Sequence, residues 1–87
     1  MKKISFIGGS ITIFPDKLVI EEKAFFSPKK MTALPFRDIK DVSGQFDRLH
    51  LESSGGERFS LWFGSSGQMR MFMAKNEIKA AIKKAGV

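Results

Sequence analysis

At Ser65 the hydrophobic period of this chain changes, and that change constrains the fold more than any other feature of the sequence. Before it, apolar residues recur at every second position in short runs broken by turn residues, which is the pattern of half-buried strands. After it, Met71, Ala74, Ile78, Ala81, Ile82 and Ala85 recur at steps of three and four, drawing one apolar stripe about 100° wide along a helix. A chain of 87 residues has room for one core. The expectation is therefore a single, mainly β domain over 1–87. Its strands, about seven, fall within 2–64 as an antiparallel sandwich or partly open barrel, and one C-terminal helix covers about 66–85.

The strand faces follow from the alternation. In ITIF, Ile11 and Ile13 flank Thr12, and beyond the turn signal Pro15-Asp16 the run KLVIEE sets Leu18 and Ile20 on one face, so the two runs predict a hairpin. AFFSPKK breaks the pattern at Ser27 and Pro28. MTALPF resumes it, with Pro35 marking an edge position or a strand end. Ile39 and Val42 follow as apolar anchors. LHLES and ERFSLWF flank Ser54-Gly55-Gly56 and predict a second hairpin. Leu49 and Leu51 point one way, and Arg48 and His50 the other. Phe59, Leu61 and Phe63 share a face, which leaves Trp62 on the opposite side, exposed or covered by another element.

The helix ends carry their own signals. Ser65 with Gln68 three residues later reads as a capping box, Lys83 and Lys84 suit the negative end of the helix dipole, and Gly86 suits the C-terminal cap. Residues 69–74 also fit a final strand, because Met69, Met71 and Met73 alternate with Arg70 and Phe72; the longer helix is the better fit. On that helix Met69, Phe72 and Met73 fall outside the apolar stripe and need a neighbour beyond the sandwich, which points to a partner surface.

Several function classes are disfavoured by residue types. There is no cysteine, so disulfides, thiolate metal sites and thiol nucleophiles are all removed. The one histidine, His50, has no evident acid partner and cannot hold a metal alone, and adjacent Glu21 and Glu22 point to opposite faces of a strand. The pairs Gly8-Gly9 and Gly55-Gly56 read as turns or bulges, since neither opens a helix as a phosphate loop must. The expectation is a non-enzymatic chain with no cofactor and no metal. MKKISFIGGS has too short an apolar run for a signal sequence, and no apolar stretch is long enough to span a bilayer, so a cytoplasmic location is expected, possible membrane contact being peripheral. The net charge of +6 favours encounter with anionic partners.

The order of hairpin, FFS turn, proline-containing strand, PFRDIKDV, glycine hairpin, FSLWFG and terminal helix resembles the small bacterial pleckstrin-homology (PH) domains and their GRAM-like relatives. The most specific part is ITIFPDKLVIEEKAFFSPKKMTALPFRDIKDV. The resemblance implies a strongly bent antiparallel sandwich with the helix plugging one end, and a binding or scaffolding role. It departs from the phosphoinositide-binding pattern, which places basic residues in a long loop between the first two strands. Here only Pro15, Asp16 and Lys17 fill the connection read from the sequence.

A protein-interaction or self-assembly module is thus the primary expectation, with Trp62, Phe25, Phe26, Met69 and Phe72 as interface candidates. The alternative is peripheral binding to anionic membrane lipids through the Phe25-Phe26 turn, where Lys23, Lys29 and Lys30 would meet headgroups. Nucleic-acid binding is the less favoured reading, because the glycine-aromatic pattern of RNA-recognition strands is missing. Lys75, Lys79 and Lys83, at four-residue steps, read as a solvated helix face.

Overall fold

The computed structural model describes residues 2–24 and 27–86. Among them, β1 Lys2–Phe6, β2 Gly9–Ile13, β3 Lys17–Ala24 and β4 Ser27–Pro35 lead through a short 3-10 turn, Phe36–Asp38, to β5 Ile39–Gln45, β6 Arg48–Ser53, β7 Arg58–Trp62 and α1 Gln68–Ala85. The strands form two antiparallel sheets in the orders β1-β2-β3-β4 and β5-β6-β7, a partly open sandwich with one C-terminal helix.

Register turns the alternation into a core. Ile11 lies opposite Ile20, Ile13 opposite Leu18, and Leu18 opposite Leu34, so these five line the inner face of the first sheet. On the second sheet Val42 faces Leu51, Leu51 faces Phe59 and Leu49 faces Leu61. All of these side chains are buried, together with Phe36 and Phe63. The helix closes the sandwich with Met71, Ala74 and Ile78, also buried, and with half-buried Ala81 and Ile82. The predicted stripe is therefore the packed face, and residues 69–74 are helical. Met71 passes over the inner face at Gly44, where a Cβ would lie 2.8 Å from the Met71 methyl, so the helix rests where the sheet has no side chain.

Three local expectations are corrected. The first hairpin is β1–β2, closed at Ile7-Gly8, and precedes the one read from ITIF and KLVIEE. The connection between the first two strands thus has no basic residue. Residues 27–30 are strand and not a break, because β4 is an edge strand, where a Pro28 without an N–H leaves no ladder bond unmade. The helix N-cap is Gly67 with no side-chain cap, not Ser65. Gly67 is buried against Phe63, donates its N–H to the Gly64 carbonyl at 3.0 Å and accepts from the Met71 N–H at 2.9 Å, so backbone closes this end. At the other end Gly86 is left-handed (φ 77°) and donates to the Lys83 carbonyl, as its sequence position predicts.

Because every neighbouring strand pair is antiparallel, alternate connections gather at opposite ends of the sandwich. At one end, called the upper end below, the Ile7 N–H donates to the Trp62 carbonyl at 2.8 Å, the Lys23 N–H to Gly8 at 2.7 Å and the Phe63 N–H to Asp47 at 2.9 Å. At the opposite end the Phe36 N–H reaches Asp16 and the Ser54 N–H reaches Asp38. No helix among the described residues is long and apolar enough to cross a membrane.

Candidate functional site: the upper end of the sandwich

The β5–β6 hairpin turns in two residues, Phe46-Asp47, with Gln45 opposite Arg48. Phe46 has φ 58°, and it is the one non-glycine residue with positive φ among those described. The first position of a two-residue turn with this sign of φ normally carries glycine. A phenylalanine there strains the backbone by about 1–2 kcal/mol. The ring gains no burial in return, being 74% exposed.

Asp47 ties this tip to β7. Its carboxylate accepts the Trp62 indole N–H at 2.9 Å, and its carbonyl accepts the Phe63 N–H. Trp62, whose alternation turns it away from Leu61 and Phe63, is 40% exposed, with its indole N–H paired to Asp47. Ile7, exposed at the β1–β2 turn, is linked through its backbone to Trp62 and packs its side chain near Gly64. The first turns of α1 begin from the same end and present Met69, 78% exposed, with Phe72 and Met73, both exposed. Lys75 Nζ lies 4.7 Å from the Phe72 ring centroid, a cation–π contact that covers one face of the ring. Arg70 is turned back, donating to the Ser5 carbonyl at 2.6 Å.

Of the interface candidates, Trp62, Met69 and Phe72 come to this one end. Phe25 and Phe26 lie outside the described residues; the strand ends that flank them, Ala24 and Ser27, belong to the upper end as well. Lys23 and Lys30 are exposed, whereas Lys29 is engaged by Glu21 at 2.6 Å across β3 and β4. That hydrogen bond, more than any other influence, holds the Glu21 carboxyl below the ordinary carboxylate range. The sign follows from linkage. A carboxyl lowered in the folded state stabilises at pH above the ordinary range, and the contribution is lost as pH falls through the folded value. Lys29→Ala is therefore expected to move the Glu21 titration, followed by carbon NMR, upward; an unmoved titration would dismiss the pairing.

Ile7 and Phe46 escaped the sequence reading. For Phe46 a signal exists: a two-residue spacer, Phe-Asp, separates two strand patterns where Asn-Gly or a glycine is the norm. Ile7 carries no such signal. His50 sits half-buried on the outer face of the second sheet between Ser43 and Ser60, away from the upper end. Among the described residues no group of three or more His, Cys, Asp or Glu is placed to hold a metal.

Comparison of the chain with known protein families, curated proteins and solved structures finds no match. The upper end is therefore read from its own geometry. Ile7, Phe46, Trp62, Met69 and Phe72 come from two hairpin turns, one strand end and one helix start, and nothing in the core requires any of them to be apolar. Scattered single apolar residues are normal on a surface, but large ones gathered at one end mark interaction sites.

Proposed function

We propose that this chain is a non-catalytic interaction module of PH-like architecture that associates with a second copy of itself through the upper end of its sandwich. The observation that carries the reading is Phe46, an exposed aromatic ring held in a strained backbone conformation that stabilises nothing within the fold. Trp62, held by Asp47, supplies a rigid aromatic anchor of the kind that dominates interface energies, and Met69 and Phe72 supply adaptable area beside it. A self-complementary patch on a small chain closes into a dimer or ring about a symmetry axis. The Asp47 carboxylate, set between Phe46 and Trp62, favours a protein surface over an anionic bilayer, since it would meet headgroups of its own sign.

Light scattering after size exclusion, at low and high salt, tests this. A mass at least twice 9.8 kDa that persists in high salt is expected, because apolar association is not screened. Phe46→Gly should return the chain to a monomer while raising its stability by up to about 1 kcal/mol, relief of the strain being partly offset by the extra unfolded-state freedom of glycine. A wild-type monomer at every concentration would sink the reading. So would an oligomer indifferent to Phe46→Gly and to Met69→Ser. Binding to anionic vesicles by a monomer that stays monomeric would transfer the upper end to the membrane reading.

A further inference from the structure

Of the clefts beside α1, two run along edge strands, and they differ in a way that points to a ligand. Each is lined on one side by four consecutive residues of an edge strand: Lys2 to Ser5 of β1 in a cleft of about 260 Å³, and Ile39 to Val42 of β5 in one of about 390 Å³. Successive side chains of a strand point to opposite faces, so a cleft touching four in a row runs along the strand's edge and meets its backbone. The β1 cleft is bridged from the helix, by Arg70 donating to the Ser5 carbonyl and by the Lys2–Glu77 ion pair at 2.8 Å. Among the described residues no hydrogen bond or ion pair joins α1 to β5.

The free edge of β5 has both chemistries that strand addition needs. With Gln45 and Arg48 closing a two-residue turn as a hydrogen-bonded pair, the alternate residues Gly44 and Val42 turn their N–H and C=O away from β6. Buried Val42 with half-buried Ile39 and Ile82 makes an apolar floor. The rim is cationic: Lys79 and Lys83 are exposed and form no ion pair among the described residues, Lys40 is 3.4 Å from Glu52, and Asp41 is the one acid lining the cleft. The four strand residues offer a track of roughly 13 Å at about 3.3 Å per residue.

We propose that the cleft between the free edge of β5 and α1 binds an extended acidic peptide segment, which adds to the second sheet as a further strand. Ladder bonds to Val42 in the cleft and to Gly44 on the same edge just beyond it give affinity, alternate apolar side chains enter toward Ile39 and Ile82, and acidic side chains meet Lys79 and Lys83. This surface is distinct from the upper end, so it stands or falls separately from self-association.

The test uses the whole chain and a fluorescein-labelled peptide of alternating glutamate and valine, about six residues long. Saturable anisotropy is expected, with amide shifts concentrated in Ile39 to Gly44 and Lys79 to Lys83. The same peptide with lysine for glutamate, or with alternate backbone nitrogens methylated, should not bind. Lys79→Glu with Lys83→Glu, both exposed, should weaken binding by about tenfold or more with an unchanged circular dichroism spectrum. Phe46→Gly should bind the peptide as the wild type does. Absence of binding, equal binding of the methylated peptide, or shifts confined to another surface would overturn the proposal. Concentration-dependent shifts at β5 without peptide would also overturn it, by assigning that edge to a second copy.

Discussion

Gly67→Ala is expected to lower the unfolding free energy by about 3 kcal/mol, at the upper end of what overpacking a well-filled site costs. Gly67 has an ordinary φ of −93°, so any residue suits its backbone; the difficulty is space. A Cβ there would fall inside the radius of the Phe63 carbonyl and 2.6 Å from the Phe63 Cβ. Phe63 has nowhere to retreat, being buried, bonded through its N–H to Asp47 and packed with its ring centroid 6.1 Å from that of Phe6. The added methyl must push the helix start away from the sandwich, which also loosens Met71 from Gly44. Urea unfolding monitored by Trp62 fluorescence measures the change. Gly55→Ala is the control, because its Cβ would meet nothing closer than the Ser53 hydroxyl at 3.8 Å, and it should stay within about 0.5 kcal/mol of wild type. Equal stabilities for the two variants would mean that the close approach of Gly67 to Phe63 is not part of the native packing.

Ile78→Ala should cost about 3 to 4 kcal/mol, the sum of lost transfer energy and the cavity left in a site that cannot collapse. Ile78 has no exposed surface and lies one helical turn beyond Ala74, itself too small to fill the gap. Ile82, on the same stripe but only half-buried beside the β5 cleft, should cost closer to 1 kcal/mol on the same substitution. For a domain of this size the larger loss is a substantial part of a total stability of about 5 to 10 kcal/mol. Helix and sheet signals should be lost together in one shifted transition, since the helix supplies one wall of the only core cluster found among the described residues. A helix that melts first, leaving the sheets intact, would show that the sandwich stands without its plug.

The candidate site was legible in proportion to how local its signals are. Trp62 was marked as outward by its place between Leu61 and Phe63, and Met69 and Phe72 by falling off the helical stripe, and all three are exposed. Periodicity says which residues leave the core but not where they meet. Two hairpin turns and one strand end, far apart in the chain, place Ile7, Phe46 and Trp62 at one end, and that adjacency depends on antiparallel order across two sheets. Lys29 shows the converse. Its charge was visible, but its engagement by Glu21 depends on the β3–β4 register, which a bulge between Glu22 and Ala24 shifts.

Two periods and a few turn residues were enough by themselves to establish a mainly β domain with one C-terminal helix, the inward faces of most strands, the packed stripe of the helix and its left-handed glycine cap. These properties depend on neighbours within a few positions, where backbone geometry alone relates one side chain to the next. Tertiary structure decided the rest. The helix starts at Gly67 because close packing on Phe63 outcompeted the hydroxyl cap that Ser65 offered. Phe46 is strained because the hairpin turns in two residues, and β5 keeps an open edge because α1, though packed over its inner face at Gly44, makes its polar contacts to β1, through Arg70 and Glu77. Each of these outcomes is settled by space and by which backbone groups find partners, which hydrophobic period does not encode.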